Sequence, residues 1–156
     1  ADVEDLILRK RALFNDAYDS KPDLELLEGV EKLIQDLHQN GMQLIVASSA
    51  SNVTIDRVFK RFELHRFFSN IVSGEDFPKS KPDPAIFLHA AKISISPKEN
   101  CIVIEDSTNG IKAAHQAGIY CIGYDSFNSK MQDYTLANLK IQHFDELSFE
   151  KIRNLK

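Results

Sequence analysis

No apolar run in this 156-residue chain approaches the roughly 20 residues a helix needs to cross a bilayer, and the first residues are charged rather than signal-like. Basic excess is lacking too. The formal net charge is -4 and the pI ≈ 5.7, so there is no electrostatic footprint for nucleic acid or an anionic membrane. Cysteine is scarce: Cys101 and Cys121 each sit beside isoleucines in short apolar runs, where a free thiol behaves as a small hydrophobe, and no disulfide framework is indicated. The histidines, His38, His65, His89, His115 and His143, lack the close paired spacing of a zinc site. Repeats and low-complexity tracts are missing as well. Together these absences predict a cytoplasmic chain that meets a small soluble molecule, with neither nucleic acid nor membrane as partner.

What is present is a chain 43% hydrophobic, long enough for one main domain with a real core. Apolar residues at Val3, Leu6, Ile7, Leu13 and Phe14 predict an imperfect amphipathic helix from Val3 to Tyr18, broken by Pro22. Val30, Leu33, Ile34 and Leu37 follow the i, i+3, i+4, i+7 spacing, and Gly41 is placed to stop that helix. The pattern then changes to short runs, Leu44 to Val46, Ile71 to Val72, Cys101 to Ile104 and Ile119 to Ile122. Separated by helical segments at about Ser51 to Phe62, Pro84 to Ile93 and Asn109 to Ala117, these runs predict strands of a parallel sheet covered on both faces. A weaker strand is expected near Lys140 to Phe144, ahead of a terminal helix capped by Ser148. The fold class is α/β, doubly wound, and ligands in such sheets bind beyond the carboxyl ends of the strands.

Three features stand at those ends. The first run closes in Ala47-Ser48-Ser49-Ala50-Ser51-Asn52, where hydroxyls and backbone N–H groups can meet an oxyanion at a helix N-terminus or simply cap the helix, Ser51 best of all. In Ser80-Lys81-Pro82-Asp83-Pro84, each proline holds the residue before it in extended backbone. Asp83 can then cap while Pro84 opens the helix, and Lys81 is either aimed as a point charge or left on the surface. Glu105-Asp106 ends the Cys101 run. Either Asp106 caps the helix running through Gly110, or the adjacent acids seat a cation that relieves their repulsion. Magnesium, which takes one or two protein carboxylates and phosphate oxygens, suits them. A hydroxyl, an ammonium and an acidic pair in that order are the parts phosphoryl transfer needs, because its catalysis is mainly positioning and charge neutralisation.

On these residues the sequence resembles the haloacid dehalogenase superfamily, in its β-phosphoglucomutase-like branch. Val46-Ala47-Ser48-Ser49, Ser80 to Phe87 and Ile104 to Ala114 are similar to that family's second, third and fourth motifs, and the similarity extends from about Leu27 through Tyr124. The resemblance implies a Rossmann-like core over 23–156, with residues 1–22 as a remnant of a helical cap. It implies phosphate binding by Ser48, Ser49, Asn52 and Lys81, with Ser48 and Lys81 catalytic, and a magnesium site at Glu105 and Asp106. Asn52 corresponds to a contact for a second phosphate in sugar-phosphate mutases, but Ala50 replaces a residue that is often polar there. The family's Asp-x-Asp-Gly-Thr motif, whose first aspartate forms an aspartyl phosphate, is not in these residues. Its strand belongs centrally, between those ending at Ser48 and Glu105. Without it, two part-sheets with facing unpaired edges are expected, and a missing N-terminal segment of the same protein becomes the expected partner. The function implied is hydrolysis of a small sugar phosphate, with this chain alone inactive. The alternatives are a β-phosphoglucomutase and a catalytically dead binding or regulatory module.

Overall fold

The computed structural model describes residues 3–155, without the side chains of Val3, Glu4, Ile7 and Arg11. The order of elements is helix α1 (Val3–Asp19), α2 (Val30–Gln39), strand β1 (Ile45–Ser48), α3 (Asn52–Arg61), β2 (Asn70–Ser73), α4 (Ala85–Ile93), β3 (Ile102–Glu105), α5 (Thr108–Ala117), β4 (Tyr120–Tyr124), β5 (Leu139–Ile141) and α6 (Phe149–Arg153). Among the described residues, no helix is long and apolar enough to cross a membrane.

Local chemistry accounts for most of the boundaries. Leu33 and Leu37 lie one turn apart on α2 and are both buried, and Gly41, at φ +79° just past the helix end, takes the left-handed conformation that a Cβ disfavours. Helix α3 starts where the Ser51 hydroxyl accepts the Thr54 N–H at 3.3 Å. The last strand is shorter than its sequence suggests. Past Ile141, the backbone N–H groups of Gln142 and His143 both donate to the Glu146 carboxylate, at 2.7 and 2.9 Å, and Phe144–Glu146 turns into a 3-10 segment. Those donors are lost to the ladder, so the strand ends early.

All strand pairings are parallel, but they form two sheets: β1 with β2, and β3 with β4 and β5. The two faces bury different sets. Val103 and Cys121, register partners on one face, pack with Ile86 and Phe87 of α4 and Ile111 of α5. Ile102 and Tyr120, the adjacent pair, face Leu33 and Leu37 of α2 and Ile152 of α6. This period-2 division between two apolar layers is why the strands read as continuous apolar runs. Helices α4 and α5 pack on each other, α4 against β1 and α5 against β3 and β4. That helical layer spans both sheets.

Between the sheets lies a cavity of about 520 Å³ lined by Ile45 and Ala47 of β1, Ile102 and Ile104 of β3, Leu37 of α2 and Phe87 of α4. Among the described residues, β1 and β3 each have a sheet neighbour on one side only. The slot therefore has two strand edges for sides and two helices for walls.

Helix α1 joins the rest at its C-terminal end. Arg61 donates to the carbonyl of Tyr18 (3.2 Å), in the last turn, where a helix leaves carbonyls without intrahelical partners, and to those of Lys21 (2.6 Å) and Pro22 (3.0 Å) just beyond it. Its guanidinium lies 4.9 Å from the Tyr18 ring centroid, with that of Arg57 at 5.6 Å, while Arg57 also pairs with Asp19. Further along, Leu6, Leu13 and Phe14 are exposed. The side chains of Val3 and Ile7, also expected on the apolar face, lie outside the described residues. Arg61→Ala should remove about 1–2 kcal/mol of docking, on the scale of a desolvated cation–π contact and its hydrogen bonds. Hydrogen exchange should then quicken in 8–19 while β3 and β4 keep their protection; equal loss in both would mean that α1 is not a separately docked element.

Candidate active site

Each strand that ends at the slot delivers one of the expected residues, and Lys81 ties them together. Its ammonium donates to the Glu105 carboxylate at 2.6 Å and to the Ala47 carbonyl at 3.2 Å, and lies 4.6 Å from the Phe87 ring centroid. Ala47 immediately precedes Ser48, and Glu105 immediately precedes Asp106. One side chain thus pins the ends of β1 and β3, in different sheets, to a common point. The Lys81 and Glu105 side chains are only 8% and 12% exposed, so Lys81 is not the surface lysine that its proline-flanked setting allowed. A pair this dry survives only with its remaining polar atoms satisfied. The second Glu105 oxygen accepts from the Ser107 N–H (3.1 Å) and hydroxyl (2.8 Å). Asp83 accepts the Ala85 N–H at 3.0 Å, which starts α4 and fixes the backbone beyond Lys81.

The Ser48 hydroxyl accepts the Ala50 N–H at 3.1 Å and keeps its own proton to donate. The turn it begins is braced from β2: fully buried Ser73 donates to the Ala50 carbonyl at 2.7 Å. Gly74 lets the two turns touch, since a Cβ there would lie 3.1 Å from the Ser49 Cα. Ser49 is exposed at this turn.

At the acidic pair, the capping alternative falls to a neighbour. Ser107, not Asp106, caps α5, its hydroxyl accepting the Gly110 N–H at 3.0 Å. Asp106 is left exposed, its carboxylate accepting from the Ser129 hydroxyl at 3.5 Å. The two acids are therefore unequal: both Glu105 oxygens are engaged, while Asp106 is the open one. Hard oxygen donors of this kind fit magnesium, which keeps several waters and accepts one or two carboxylates. Among the described residues, no three His, Cys, Asp or Glu side chains gather as an all-protein cage would require.

Asn52 stands apart from the other expected phosphate ligands. Its backbone N–H donates to Glu75 at 3.0 Å, and its side-chain amide reaches Glu75 (3.5 Å) and Asp76 (3.2 Å). Two carboxylates at this position disfavour a phosphate there by like-charge repulsion.

Sequence reasoning missed the residues that make room and bracing. A Cβ on Gly110 would sit 2.0 Å from the Glu105 carboxylate, so that glycine is required by close approach, not by backbone angle; its place one helical turn past the acids was the available signal. Ser73, Gly74 and the contacts of 126–138 carried no such signal. Cys121, behind the pair, has its thiol pushed up to about 12 by burial first and the Glu105 charge second, which leaves it unreactive.

A family model described as haloacid dehalogenase-like hydrolase matches residues 2–124. The chain is 29% identical over 130 residues to 5-amino-6-(5-phospho-D-ribitylamino)uracil phosphatase, chloroplastic, of Arabidopsis thaliana, covering 83% of this chain and 35% of that protein. It therefore spans about a third of that relative's length. Among solved structures, a HAD hydrolase, family IA, variant 3, from Entamoeba histolytica superposes with a TM-score of 0.82 at 26% identity, over 97% of this chain and 71% of the other. A β-phosphoglucomutase from Clostridium difficile gives 0.70 at 29% identity, over 82% and 55%.

The buried pair makes an energetic prediction. Lys81→Met strands a buried carboxylate and should cost about 3 kcal/mol in urea unfolding, whereas Lys81→Met combined with Glu105→Leu should recover most of that loss. A cost under about 1 kcal/mol for the single change would show that the pair does not clasp the strand ends.

Proposed function

The chain belongs to the haloacid dehalogenase-like hydrolases, and from that premise we propose that it forms part of a magnesium-dependent phosphatase acting on a small sugar or polyol phosphate. The observation that carries this reading is the double attachment of Lys81 to the residues preceding Ser48 and Asp106. It puts an ammonium between a hydroxyl turn and an open carboxylate, the arrangement an incoming phosphoryl group needs.

In this reading the Ser48 O–H and the Ser49 N–H donate to phosphoryl oxygens, and Lys81 balances their charge from below while staying paired with Glu105. Asp106, with Glu105 beside it, holds Mg²⁺, which when bound supplies further neutralisation of oxygen charge. The nucleophile is a carboxylate on a parallel strand filling the slot between β1 and β3, supplied by a segment of the same protein outside these residues. Its oxygen attacks phosphorus as the bond to the leaving oxygen breaks, and the alcohol departs with a proton given by a second acid of that same segment; water then attacks phosphorus, returning a proton to that group, and inorganic phosphate leaves with the nucleophilic carboxylate restored. Without that strand these residues hold the anion but form no covalent intermediate. The exposed apolar positions of α1 belong to the cap that selects the leaving group.

Hydrolysis is favoured over the mutase alternative by two features of one turn: Ala50 cannot donate from its side chain, and Asn52 is committed to Glu75 and Asp76. The phosphorylated ribityl group in the name of the Arabidopsis relative supports a polyol phosphate as the substrate class.

For the intact natural polypeptide, phosphate release from a panel of sugar and polyol phosphates should require Mg²⁺ and stop in chelator. Asp106→Asn should lower kcat by about 100-fold or more, the scale of losing a principal charge-stabilising group. Conversion of β-glucose 1-phosphate to glucose 6-phosphate without free phosphate would replace this reading with the mutase. Phosphate binding without any turnover would replace it with a binding module.

A further inference from the structure

We propose that Gln132 and Tyr134, in the loop between β4 and β5, are positioning residues that hold Asp106 in its open orientation. This rests on the reading of Asp106 as the magnesium ligand and adds to the site a segment beyond the three motifs.

The loop is anchored to the sheet at both ends. Asp125 donates its N–H to the Ile141 carbonyl at 2.8 Å, and Ser126 beside it is buried. At the far end Asn138 pairs twice with Cys121, its N–H donating to the carbonyl and its side-chain oxygen accepting the N–H, both at 2.8 Å. Between these anchors, several side-chain contacts converge on 106–108. The Gln132 side-chain oxygen accepts the Thr108 N–H (2.7 Å) and hydroxyl (2.9 Å), and the Thr108 hydroxyl accepts the Asp133 N–H (2.8 Å). Tyr134 donates its hydroxyl to the Asp106 carbonyl at 3.2 Å, and Ser129 reaches the Asp106 carboxylate.

Each contact does work that local sequence cannot. Thr108 is the first residue of α5, and the Ser107 cap already serves Gly110, so the Thr108 N–H is one of the donors a helix start leaves without a partner. Gln132 accepts it from 24 residues away. With Ser107 held by Glu105, Thr108 by Gln132 and the Asp106 carbonyl by Tyr134, the backbone leaving the Asp106 Cα on its C-terminal side is fixed. Its carboxylate is thereby kept from folding back to cap the helix. The sheet is also cleared for the Tyr134 ring: a Cβ on Gly123 would lie 2.9 Å from Tyr134 Cδ1 and 3.0 Å from the Ala137 Cβ.

Partners that orient a metal ligand typically contribute about 10–100-fold to metal affinity. Calorimetric titration of Mg²⁺ into the intact polypeptide should therefore show Gln132→Ala binding about 10-fold more weakly than the parent, and Tyr134→Phe about 3-fold. Gln132→Glu, which keeps the accepting oxygen, should return to within about 2-fold, a rescue that a merely structural role would not produce. Tyr134→Phe removes one hydroxyl from a ring that stays packed, so it carries the test if Gln132→Ala does not fold. Unchanged Mg²⁺ affinity in both Gln132→Ala and Tyr134→Phe, with binding abolished by Asp106→Asn, would overturn this proposal and leave the metal assignment standing. Parent-like affinity in Asp106→Asn would overturn the metal assignment and this proposal with it.

Discussion

A buried lysine bonded to a buried glutamate is the constraint on which the site depends. Ion pairs taken out of water gain little stability over an apolar replacement, but losing one partner is costly, so the pair enforces a geometry more than it strengthens the fold. Here that geometry is a bridge. Lys81 also holds the carbonyl of Ala47, and its reach therefore crosses from the sheet containing β1 to the sheet containing β3. The hydrogen bonds from Ser107 to Glu105 and the absence of a Cβ at Gly110 follow from seating that carboxylate. Asp106 is then the acid left facing outward.

The same bridge explains how two sheets without a shared ladder stay aligned. Helices α4 and α5 form one apolar layer beneath both, and Lys81, just ahead of α4, fastens the carboxyl ends above it. The slot between the sheets is apolar along its walls, and the Lys81 ammonium meets two of its lining residues, Ala47 and Phe87. A parallel strand fits that environment on both counts: its side chains meet α2 and α4, and its backbone meets the open edges of β1 and β3. A strand arriving there would end beside Lys81, which is why the proposed nucleophile belongs at its carboxyl end.

Much of this was legible in the residue order. The apolar runs marked β1 to β4, Ser51 and Ser148 marked their helix starts, the Glu105-Asp106 pair marked the end of β3, and the proline-flanked Lys81 marked the approach to α4. What could not be read had a common cause: it depended on groups brought together across the fold. Ser107 rather than Asp106 caps α5, its hydroxyl donating to Glu105 while accepting the Gly110 N–H. Lys81 is buried because Glu105 and Phe87 meet it from distant segments. The last strand stops at Ile141 because Glu146 captures the next backbone donors, a competition that hydropathy does not register. Asn52 turns to Glu75 and Asp76, and no spacing rule anticipates a partner that far along the chain.

The sequence by itself determined the α/β class and the order of the elements, and singled out a hydroxyl, an ammonium and an acidic pair as candidates, because periodicity, capping and proline restraint act over a few neighbouring residues. Tertiary structure alone decided that Glu105 belongs to Lys81, that Asp106 stays open, and that the 126–138 loop closes over the start of α5. Those outcomes depend on burial and on hydrogen bonds between residues far apart in the chain, where the cost of an unpaired polar group is settled only once the surfaces around it have met.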